Sequence, residues 1–118
     1  MNLPVITEHA YALWLWLDAR ITDFPVRARH AVGQRVSDAS LELLDALVTA
    51  SLSARGSDAR RDALERARHR VAFLRVLVRG ARERGYLAPS QHLFASEKLA
   101  LIGKMVAGWI RHEASVAP

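Results

Sequence analysis

The chain has 118 residues, about half of them hydrophobic and a quarter charged, with a formal net charge of +5. That length and composition fit one globular domain able to bury its own core, and they exclude a disordered chain. There is no cysteine, which removes disulfide frameworks, thiolate metal sites and cysteine nucleophiles, and fits a reducing compartment.

The first four residues, Met1-Asn2-Leu3-Pro4, lack a basic region ahead of an apolar stretch, so no secretory signal is expected. The longest apolar run, Ala10 to Leu17, falls short of the about 20 residues a membrane span needs. The expectation is a soluble, cytoplasmic protein with no membrane partner.

A first helix is expected to start after Thr7, a good N-cap residue. Ala10, Trp14, Leu17, Ile21 and Phe24 recur at helical spacing. Asp23-Phe24-Pro25 ends it, and Pro25 suits the first turn of a second helix over about 26–54. That helix carries Val32, Val36, Leu43, Leu47 and Ala50 on its apolar side. Gly56 is expected to stop it and Ser57 to cap the next.

The third helix spans about 58–84. Leu64, Ala67, Val71, Leu74, Val78 and Ala81 form a seam with alternating spacings of three and four. Gly85 closes it. The fourth helix begins near Pro89-Ser90, runs to about His112, and buries Leu99, Ile102, Val106 and Trp109. No alternation of period two is sustained, so no strands are expected. Short connections between long helices force antiparallel neighbours. The fold class is all-α, an up-down-up-down four-helix bundle.

Two segments are more apolar than a monomeric bundle needs. Leu13 to Leu17 is apolar all round, and so is Val71 to Val78 except for Arg75. Phe73, Val76 and Leu77 lie off the seam, on faces a monomer leaves exposed. Gly103, Ala107 and Gly108 allow close helix approach. Patches of that size mark interfaces, so a homo-oligomer is expected, the other reading being an unusually apolar monomer.

The charge is concentrated. Residues 55–84 hold ten arginines and four acids, a net of +6, while the rest of the chain carries seven bases and eight acids. Arginine binds phosphate through a bidentate planar fork that lysine lacks. Arg61, Arg68, Arg75 and Arg82 repeat every seven residues beside the seam, with Arg79 next to them. A polyanion could run along that row. A solvated helix face also accounts for such arginines, and pairs such as Asp62–Arg66 consume some charge. Arg75 inside its apolar octet reads as a buried guanidinium in need of a partner.

Enzymatic motifs are missing. No two histidines lie three or four apart, and neither Glu-x-x-His nor His-Glu-x-x-His occurs. Gly103-Lys104 lacks the following Ser or Thr of a phosphate loop. The reading is a protein that is not an enzyme and has no cofactor or metal.

Three stretches carry a resemblance. They are Phe24-Pro25-Val26-Arg27-Ala28-Arg29 with Gly33-Gln34-Arg35-Val36, then Leu74-Arg75-Val76-Leu77-Val78-Arg79, then Ile102-Gly103-Lys104-Met105-Val106-Ala107-Gly108-Trp109-Ile110. In that order the chain resembles the accessory variability determinant proteins of diversity-generating retroelements. These are related to four-helix proteins encoded by intervening sequences of 23S ribosomal RNA genes. The resemblance implies a barrel-like homopentamer of bundles with a basic surface. It implies two partners, nucleic acid and the retroelement's reverse transcriptase, in a complex that makes mutagenised complementary DNA from a template RNA. The arginines it points to are Arg75 and Arg79 above all, with Arg61, Arg68 and Arg82 of the same helix and Arg29 and Arg35 of the second. The alternative is a structural oligomerising bundle of the intervening-sequence type, with no reverse-transcriptase partner.

Overall fold

The computed structural model describes residues 3–116; Met1 and Asn2, where the leader reading began, lie outside them. Among the described residues there are four long helices and no strand: α1 (Val5–Ile21), α2 (Gln34–Leu52), α3 (Asp58–Glu83) and α4 (Pro89–Ala114). Each helix packs on its neighbours in sequence, and α1 also packs on α4. The result is a rod of 49 × 21 × 21 Å. No helix among the described residues is long and apolar enough to cross a membrane.

The third helix follows its sequence pattern closely. All six seam residues are buried, none more than 5 % exposed. At 3.6 residues per turn, alternating steps of three and four hold one face toward the core. Ser57 caps α3 by accepting the Arg60 N–H at 3.2 Å. At the other end Gly85 adopts φ +79. This left-handed residue lets its own N–H reach Arg82 O and the Tyr86 N–H reach Ala81 O, the paired closure glycine favours. Pro89 starts α4 at its first turn, where a missing N–H costs nothing. Gln91 Oε1 accepts the Ala88 N–H at 2.8 Å.

Several helix ends differ from the sequence reading. α1 starts at Val5 rather than after Thr7, with Pro4 at the cap. The Thr7 hydroxyl donates back to Pro4 O, so it sits inside the first turn and caps nothing. α2 stops at Leu52, where Ser53 turns extended. Gly56 lies three residues further on, in the loop, at φ +72. α4 runs two residues past His112, to Ala114.

The second helix is not uniform. An α-helical turn, Val26–Ala28, leads into a π-helical turn, Arg29–Gly33, and then into α2. A Cβ on Gly33 would lie 2.8 Å from Ile21 Cγ2 and 3.1 Å from Ala28 O. The wider turn and the bare Cα together let this segment pass the end of α1. Gly33→Ala gains helix propensity worth up to about 1 kcal/mol, but overpacking costs about 1–3 kcal/mol. Neither close atom is the end of a flexible chain, so we expect a net loss near 1 kcal/mol, read as a lower midpoint in urea unfolding.

Much of the surplus apolar surface is used inside the chain. Phe73 and Leu77 are half-buried against the core rather than exposed. Trp16 packs on Phe94 in a tilted pair, with centroids 4.7 Å apart, across α1 and α4. Leu13 takes a core place, while Trp14 of the expected stripe is only half-buried. Ten large hydrophobic residues stay exposed among the described residues, including Val76 at 65 %, Leu15, Leu93 and Leu101. A Cβ on Gly103 would meet Val71 Cγ1 at 3.4 Å, an ordinary contact, so the approach of α3 and α4 does not require a glycine there. Gly108 faces only Arg111 of its own helix.

Candidate nucleic-acid interface

The ten arginines of residues 55–84 divide by what holds them. Arg60 is structural. Its Nη1 lies 3.0 Å from Glu113 Oε1, and its Nη2 donates to Ser53 O at 2.8 Å. The guanidinium also sits over Trp109, 5.6 Å from the ring centroid. Glu113 Oε2 accepts the Gly56 N–H at 2.8 Å. Burial pushes the Glu113 carboxyl up, but the Gly56 N–H and the Arg60 guanidinium outweigh it, so its pKa is lowered. Arg70 reaches across to Glu42 of α2 at 2.7 Å.

Arg61, Arg68 and Arg79 pair along α3 with Asp58, Glu65 and Glu83, at 2.7, 2.9 and 3.2 Å. These pairs are solvent-exposed, a kind worth about 0–1 kcal/mol, so an arriving polyanion can replace them. Arg75 and Arg82 are exposed and form no ion pair among the described residues. This corrects the reading of Arg75 as a buried guanidinium. It is one residue from Leu74 in sequence but a full 100° round the helix, which takes it off the core face.

Arg75 and Arg79 line one bank of a groove between α3 and α4. The other bank carries His92 and Ser96 of α4, with Val76 at the edge. The Ser96 hydroxyl and His92 Nε2 are 3.4 Å apart. The Glu83 contact uses only Nε of Arg79, which leaves both its Nη groups free to donate. Two guanidinium forks, an imidazole and a hydroxyl thus open onto one groove, and all four can donate to phosphate oxygens. Arg61 lines a second groove between the same helices, toward Ile110 and Glu113.

Arg29 and Arg35 stand apart from this row. Arg29 Nε donates to Phe24 O at 2.9 Å and so secures the π turn; Arg35 is exposed at the start of α2. Sequence reasoning missed His92 and Ser96, although a spacing of four puts them on one helix face. It also missed the Arg60–Glu113 clamp. The available signal was a carboxylate in the last turn of a helix, where the macrodipole disfavours negative charge.

Comparison with known proteins joins these features to a family. Residues 4–113 match the family model described as bAvd-like. The chain belongs to the bAvd-like family. The match takes in all four helices, the arginine row and the α3–α4 groove of this bAvd-like chain. Neither a curated protein nor a solved structure matches it.

Proposed function

We propose that the protein is a non-catalytic accessory factor of a diversity-generating retroelement. In this reading it binds template RNA and the reverse transcriptase through the basic face of α3, and so supports mutagenic complementary-DNA synthesis in the cytoplasm. The observation that carries it is the α3–α4 groove. There the exposed Arg75 and Arg79 meet His92 and Ser96, within a row of arginines whose ion pairs are weak or missing among the described residues. Membership of an Avd-type family supports the same reading.

Assembly belongs to the proposal. The reading has antiparallel, up-down-up-down bundles joined in a barrel-like homopentamer, which multiplies weak phosphate contacts by avidity. The exposed Leu15, Val76 and Leu101 supply apolar surface for it. Light scattering should return a multiple of 13.1 kDa. A strict monomer at micromolar concentration would remove the assembly.

The test for binding is a salt titration with a fluorescein-labelled oligouridylate. Each phosphate contact to a single strand adds about 0.7 to the slope of log K against log salt. Arg75→Ala with Arg79→Ala should therefore weaken binding and flatten the slope by roughly 1.4, with oligomer size unchanged. Unchanged affinity and slope in that double variant would sink the assignment of these two residues. A reverse-transcriptase gene beside this one, and co-purification of its product with this protein, would separate this reading from a purely structural bundle, which predicts neither.

A further inference from the structure

Gly80 stands in the last turn of α3, where the backbone is still helical and glycine is a weaker helix former than alanine. Its φ is not positive, so the backbone does not ask for glycine. A Cβ built on it meets no atom within 4 Å, so packing inside the chain does not ask for it either. Gly33 is the contrast, with Ile21 at 2.8 Å. Glycine at such a place leaves the backbone bare to something from outside the chain.

Gly80 lines a groove of about 460 Å³ between α3 and the turns that lead into α2. Ala28, Ala31 and Val32 also line it, together with Arg27, Arg84 and Tyr86. Ala31 and Val32 belong to the π turn, a feature that recurs at functional sites. Arg27 and Arg84 are exposed and have no ion pair among the described residues. Tyr86 is half-buried and packs on Phe24, with centroids 5.4 Å apart, which fixes its ring. This groove is on the α2 side of α3 and shares no residue with the α3–α4 groove.

We propose that this second groove seats one nucleotide of a single-stranded RNA. The phosphate lies between the Arg27 and Arg84 guanidiniums, the base stacks on Tyr86, and the ribose rests on the bare backbone at Gly80. The chemistry favours this occupant. Two unneutralised forks call for an anion, a fixed aromatic beside them is how proteins hold unpaired bases, and the volume falls within the about 300–1,000 Å³ of small-ligand sites. The inference rests on the nucleic-acid reading above but uses none of its residues.

Gly80→Leu puts a side chain into the groove from a position whose Cβ meets no atom within 4 Å. It should leave oligomer size and thermal midpoint at or above wild type, while lowering affinity for the oligouridylate about tenfold, the scale of one lost base stack. In the unmodified protein, an oligouridylate carrying 4-thiouridine should photo-crosslink to Tyr86, as located by mass spectrometry. Wild-type affinity in Gly80→Leu together with no crosslink at Tyr86 overturns the inference. If Arg75→Ala with Arg79→Ala still weakens binding in that case, the nucleic-acid reading survives alone. Wild-type protein that binds no RNA removes both. A changed oligomer size with RNA affinity intact would make the groove a protein contact and also overturn the assignment. Should Gly80→Leu fail to fold, the crosslink on the unmodified chain decides.

Discussion

Glu113→Ala should destabilise the protein by about 3 kcal/mol, the low end of the cost of breaking a buried ion pair by removing one partner. The Glu113 side chain is 1 % exposed and that of Arg60 13 %. Without the carboxylate, the Gly56 N–H loses its acceptor, and the Arg60 guanidinium keeps its charge with only Ser53 O and the Trp109 face beside it. The clamp joins the end of α4 to the loop between α2 and α3, so α4 should fray from this end first. The effect is also tied to pH. The Glu113 pKa is lowered in the folded state, whereas an unfolded glutamate titrates near about 4.3. Its contribution is therefore complete above that value and is lost as pH falls through the lowered folded pKa. Urea unfolding at neutral and acid pH checks both statements. Wild type should lose more stability on acidification than Glu113→Gln. Equal losses would mean that this carboxylate does not carry the acid sensitivity.

The parts of the fold visible in the sequence are those set by residues close together in the chain. The α3 seam repeats within a single helix, and Ser57, Gly85 and Pro89 act within one turn of their own positions. The parts that were hidden depend on distant residues. Glu113 meets Gly56 across 57 positions, and nothing local to either announces the other. The π turn at Arg29–Gly33 answers to Ile21, so helical periodicity passes over it. Thr7 had the composition of a cap, but its hydroxyl was spent on Pro4 O one turn back. The arginine row was legible as a row, since a repeat of seven keeps one face. The division of the arginines of residues 55–84 into weakly paired, unpaired and structural ones was not. Arg60 shares the seam's side of α3 and turns inward to Glu113, while Arg75, surrounded by apolar neighbours in sequence, turns outward. The partners of the row on α4, His92 and Ser96, could be read only once α3 and α4 were side by side.

Leu74→Ala and Arg75→Ala, adjacent changes, should have opposite consequences. Leu74 is 0 % exposed in the middle of the seam. Truncating a fully buried leucine costs about 2–5 kcal/mol, more where the surroundings cannot close the cavity. Here Val71 and Val78 hold the turns on either side, and both are themselves buried. We therefore expect a loss in the upper half of that range, seen as a large fall in the unfolding midpoint and a poorly assembled protein. Arg75→Ala removes an exposed side chain with no ion pair among the described residues. Its effect on stability should stay within about 0.5 kcal/mol, and alanine's helix propensity acts in its favour. Its effect should appear instead in RNA affinity and its salt dependence. The two measurements on the two variants separate the face of α3 that holds the bundle together from the face proposed to meet RNA. If Arg75→Ala instead lowers stability as much as Leu74→Ala, the guanidinium is a packing element of the assembled protein, and its loss could no longer be read as a lost phosphate contact.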